Sequence, residues 1–131
     1  MTDFSAQNVS AFDNHGTLLG TFGSGYNADP ESILFDGSGN VYVGQADGTH
    51  HVLEFNSSGG LINTFAPTTD ARGTDWIELA SDQHTLYYAS EGLDVQRFDT
   101  ATNTQLTDFN TAPLPGTNAF ALRILGDGGT W

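Results

Sequence analysis

The chain has 131 residues, with three Arg, no Lys and 16 Asp plus Glu, for a formal net charge of −13. Duplexes and anionic leaflets are bound by neutralising their charge with Lys and Arg, so this composition argues against nucleic-acid binding and against a lipid surface. The lack of Cys excludes a disulfide framework, a thiolate zinc site and a Cys nucleophile, no run nears the ~18 apolar residues of a membrane span, and the start MTDFSAQNVS has neither the basic opening nor the apolar core of a signal peptide.

Read in chain order, two blocks recur. FDNHGTLLGTF at 12–22 returns as FNSSGGLINTF at 55–65 and, more loosely, as FDTATNTQLTDF at 98–109, at spacings of 43 to 44 residues. ILFDGSGNVYV at 33–43 returns as IELASDQHTLYY at 77–88 and LRILGDGGTW at 122–131. A period of about 40 to 50 residues built from short β-branched and aromatic runs is the mark of four-stranded propeller blades, and no run has helical spacing.

The predicted class is therefore all-β, a β-propeller of four-stranded antiparallel blades with about three blades present. Residues 7–23 are the outer strands of a blade A. Blade B spans 30–66, with strands near 32–36, 40–45, 51–56 and 61–65. Blade C spans 74–110, with strands near 76–80, 85–89, 93–99 and 104–109. The inner strand of a blade D takes 118–131. Asp36–Asn40 and Asn56–Gly60 are hairpin turns in which Gly supplies positive φ. Segments holding Pro30, Pro67, Pro113 and Pro115 are assigned to the links between blades, because Pro cannot donate to a sheet ladder. Three blades are fewer than the four to eight of known rings. The expectation is a segment of a longer polypeptide, or two chains pairing into a six-bladed homodimeric ring.

The pattern P-x-S-I-x-F-D-x-x-G-N-V-Y-V from Pro30, followed by V-x-x-F-x-x-x-G-x-L and T-F, resembles NHL-type repeats and the streptogramin-lyase-like and gluconolactonase-like bacterial propellers, over about Gln7 to Trp131. Such folds host lactonases, lyases and plain binding modules, so activity has to be argued from a site. The resemblance implies a binding or scaffold module of a secreted or cell-surface bacterial protein, its ligand a protein, carbohydrate or small molecule. The alternative it carries is a divalent-metal-dependent lyase or lactonase with its site at the propeller mouth.

Residues just before the inner strands ring that mouth. Glu31 and Asp75 stand at equivalent places two residues before Ile33 and Ile77, with Asp29 and Asn118 near the same rim. Converging oxygens suit Ca²⁺ or Mg²⁺, so Glu31, Asp75 and Asn118 are the candidate metal set, although Phe120 stands at the third equivalent place. Trp76 is a candidate ligand platform, beside Tyr87, Tyr88 and Phe120 as inter-blade packing. Arg123, on the expected channel strand, is the candidate to hold an anionic ligand or a channel Asp. Asp36–Asn40 opens like a calcium loop, but Val41 and Asp47 stand where an EF-hand needs Gly and Glu. His50 and His51, near Glu54, would face opposite sides of a strand and cannot share an ion. His15 and His84 fall in turns, and no nucleophile elbow is present.

Overall fold

The computed structural model describes residues 1–116 and 118–125. Every regular element in it is a strand. There are eleven: β1 (Thr2–Asp3), β2 (Asn8–Phe12), β3 (Leu18–Phe22), β4 (Pro30–Phe35), β5 (Val41–Gln45), β6 (Val52–Phe55), β7 (Leu61–Phe65), β8 (Trp76–Leu79), β9 (Thr85–Ala89), β10 (Gln96–Asp99) and β11 (Thr104–Leu106). They form three antiparallel meanders, β1-β2-β3, β4-β5-β6-β7 and β8-β9-β10-β11. The sheets are blade-like propeller segments in series, and they do not close into a ring.

Three of the hairpins are set by one local device. Asp13, Asp36 and Asn56 each follow the last residue of a strand, and each Oδ1 accepts from the backbone N–H two and four residues on, at 2.8–2.9 Å. This side-chain turn needs a left-handed residue three places on, and Gly16, Gly39 and Gly59 stand there with φ of 83–85°. The calcium-like look of Asp36–Asn40 is thereby accounted for. The Asp36 carboxylate is taken up by its own turn, including Asn40 Nδ2 at 2.9 Å.

The central sheet is buried on both faces, every residue of β5 and β6 being buried. Alternation sends Val41, Val43, Leu53 and Phe55 to one face, against Val9, Phe22 and Tyr26. Tyr42, Val52 and Phe65 go to the other, against Ile77, Leu86, Tyr88 and Phe98. The sheets thus stack like blades, each interface stabilised by apolar burial at roughly 25 cal/mol per Å².

Three expectations need correction. Pro30 is not in a link but opens β4, where a missing N–H is tolerated, and the ladder shifts register just after it. The third strand of the last sheet starts at Gln96 rather than near 93, because the Val95 N–H donates to Asn110 Oδ1 at 2.7 Å instead of to a neighbouring strand. Of the inner strand expected at 118–131, residues 118–125 form no strand, and 126–131 lie outside the described residues.

Candidate mouth site

The loop entering β8 is clamped before it delivers a carboxylate. Gly73 N–H donates to Ala46 O at 2.8 Å and Thr74 N–H to Gln45 O at 3.0 Å. Gln45 N–H donates in turn to Thr74 Oγ1 at 3.0 Å. The next residue, Asp75, is 2% exposed, and among the described residues neither of its carboxylate oxygens has a hydrogen-bond partner. The indole Nε1–H of Trp76 beside it is buried without an acceptor.

Asp75 and Trp76 line a cavity of about 240 Å³ together with Thr2, Phe4, Pro30, Glu31 and Phe120, the two Asp75 oxygens and Trp76 Nε1 being buried behind its wall. Glu31 is placed by β4, and its carbonyl accepts from Thr2 Oγ1 at 3.0 Å, tying the first sheet to the second at the rim. Burial, reinforced by the negative charge of Glu31, pushes the Asp75 carboxyl up to about 7. Burial raises Glu31 too, against the opposing pull of Arg72. Arg72 does not neutralise the cavity, because its guanidinium holds Asp47 at 2.7 Å and Glu91 at 3.0 Å. Asp29 is raised as well, by the neighbouring Asp47 carboxyl.

Of the five site residues predicted from sequence, three meet here: Glu31, Asp75 and Trp76. Asn118 does not face them, as its Nδ2 donates to Glu91 O at 3.2 Å. Arg123 is outside the cavity, paired with Glu78 at 3.0 Å with its side chain largely exposed. Among the described residues no group of three or more His, Cys, Asp or Glu is placed to hold a metal. Thr2 and Phe4 were not singled out from sequence. The available signal was the repeat, which puts them near the equivalents of Gln45–Asp47, where the chain leaves a second strand at this same mouth.

The histidines lie elsewhere. His50 precedes β6 with φ of 63° and its Nδ1 lies 3.3 Å from Thr69 Oγ1. Glu54 accepts from Asn40 Nδ2 at 3.2 Å and Asn63 Nδ2 at 2.7 Å, a cross-strand clamp inside the central sheet. His84 lies between Asp82 and Asp99 at a turn.

The fold and the mouth cavity together define a class, an open series of β-propeller blades with an acidic, aromatic-lined pocket at one end. Comparison with protein-family models finds no match, and comparison with curated proteins finds none.

Proposed function

We propose that the chain is a binding module of a β-propeller whose mouth cavity takes a small polyhydroxylated ligand of monosaccharide size. One observation carries the reading: among the described residues a buried carboxylate has both oxygens unpartnered, next to an indole N–H without an acceptor, in two residues that line one cavity. Buried polar groups are normally hydrogen-bonded, so acceptors and a donor left free at the same wall favour a ligand that supplies their partners. Hydroxyls would donate to Asp75 and Glu31, a ring or hydroxyl oxygen would accept from Trp76, and the apolar face of a sugar would rest on Phe4, Trp76 or Phe120. A cavity smaller than the ~300–1,000 Å³ of drug-sized sites favours one ring over an oligomer. The family resemblance, the absence of Lys and the surface rich in Asn, Thr, Gly and Ser support placing the parent protein at the cell surface or outside it.

The test is a titration of the chain with a panel of monosaccharides, and separately with CaCl₂ and MgCl₂, followed through the Trp76 indole N–H resonance and the melting temperature. A saccharide should move both in the wild type and neither in Asp75→Ala. If no saccharide moves the resonance while a divalent ion raises the melting temperature through Glu31 and Asp75, the sugar-binding reading fails and the metal-dependent lyase or lactonase reading takes its place.

A further inference from the structure

Both interfaces between sheets repeat one aromatic contact. Phe22, the last residue of β3, meets Phe55 of β6 at 5.8 Å between ring centroids, edge to face. One period on, Phe65, the last residue of β7, meets Phe98 of β10 at 6.0 Å, again edge to face. In each, a phenyl closing the outer strand of one sheet receives a phenyl from the third strand of the next. The receiving series is Phe22, Phe65, Phe109, and the inserting series is Phe12, Phe55, Phe98. Its inner members Phe55, Phe65 and Phe98 are buried, whereas Phe109 at one end is 62% exposed and Phe12 at the other is 45% exposed.

The surroundings of Phe109 repeat as well. Tyr42 stacks on Phe65 at 6.2 Å where the third sheet docks, and Tyr87 sits 5.6 Å from Phe109 on the face with no sheet against it. At the opposite end Phe12 stands exposed on the first sheet; the apolar groove of about 350 Å³ that it borders lies between the first and second sheets, with Val9, Phe22, Ile33 and Val41. The chain therefore presents a socket at one end and the matching plug at the other.

We infer that a second copy of this chain covers both. Phe12 of each copy inserts against Phe109 and Tyr87 of the other, head to tail, and the two equivalent contacts close a six-sheet assembly. The occupant follows from the repeat: the contact missing at each end is the one made twice inside, and one chain supplies both halves. Within one copy the two phenyls do not cover one another, both standing exposed. A heterologous contact that closes on itself gives a ring of defined size. With −13 on each copy, association should strengthen as salt screens repulsion.

The experiment is light scattering and sedimentation on the 131-residue chain across micromolar concentrations and rising NaCl. The expected mass is twice 13.9 kDa. Phe12→Ser and Phe109→Ser should each give a monomer with unchanged circular dichroism, since both rings are exposed in the single copy. Mixed in equal amounts they should recover a two-copy mass, because one of the two contacts is then intact. A wild type monomeric at every concentration and salt overturns the proposal, as does a Phe109→Ser variant that still dimerises, which would mean a symmetric Phe12 contact. A mixture that fails to associate, or an open-ended polymer, overturns the closure. None of these readings involves Asp75, so failure here leaves the mouth site standing and the converse holds.

Discussion

Asp75→Asn should make the chain's stability far less dependent on pH, and the size of the effect follows from the burial of one carboxyl. Held at about 7 in the folded protein against 3.8 as its ordinary value, Asp75 keeps its proton more tightly folded than unfolded. Stability is then intact below about pH 4 and falls as pH rises through about 7, by about 4 kcal/mol at most. That is a large share of the ~5–15 kcal/mol that holds a domain folded. Asn has the same shape but buries its own unpartnered amide, which costs about 1–3 kcal/mol at any pH. The informative quantity is therefore a double difference: mutant minus wild type at about pH 8, less the same at about pH 4, where the amide term cancels. Urea unfolding followed by circular dichroism at both pH values should place it near 3–4 kcal/mol in favour of Asn. Equal pH slopes in the two proteins, or a steeper fall for Asn, would refute the claim that Asp75 is buried without a partner.

Other consequences are simpler to read. A methyl added at Gly44 would stand 2.2 Å from Thr74 O and 2.5 Å from Ser32 Oγ, so Gly44→Ala should lose about 3 kcal/mol in urea unfolding and blunt any ligand response through the displaced Thr74–Asp75 loop. Tyr88 is fully buried, its hydroxyl donates to Thr68 O, and it accepts from Gln105 Nε2 at 2.9 Å; Tyr88→Phe should cost about 1–2 kcal/mol with no change of fold by circular dichroism. Arg72 bridges Asp47 and Glu91 from a partly exposed position, so Arg72→Gln should cost about 1 kcal/mol at low salt and less at high salt. The same variant removes the positive charge that opposes the rise of Asp75, so the midpoint of the pH-dependent loss should move upward.

The blades were legible because a period near 43 residues and strand alternation are both properties of neighbours in sequence. The turns at Asp36 and Asn56 were legible for the same reason, each being built from an Asp or Asn and a Gly three residues later. The misplaced features depend on partners that sequence spacing does not bring together. Pro30 sits in a strand because its position is the first one, a matter of register, and residues 93–95 stay out of β10 because Asn110, 15 residues beyond Val95, takes the Val95 N–H. Glu31 and Asp75 line one cavity because repeat-equivalent positions ring one mouth. Asn118 was equally close to that rim by number, but which way an amide turns is decided by the carbonyl it meets, here that of Glu91.

The isolation of Asp75 is a property of the scaffold around it. The Thr74 backbone N–H and hydroxyl are both engaged with β5, so the loop cannot swing the carboxylate toward water. The nearby guanidinium of Arg72 is already committed to two other acids. A ligand that donates hydrogen bonds to the ionised carboxylate would be the missing stabiliser, and linkage then fixes the direction of its pH dependence. Such a ligand must lower the carboxyl's affinity for protons, so its own affinity should rise with pH up to and through about 7, where the apo protein half-titrates Asp75. Calorimetry at about pH 5 and pH 8 would measure it, with proton release on binding at the lower pH. Weaker binding at pH 8 would instead mean that protonated Asp75 is the donor and the ligand presents an acceptor, which would reverse the roles assigned to this wall of the cavity.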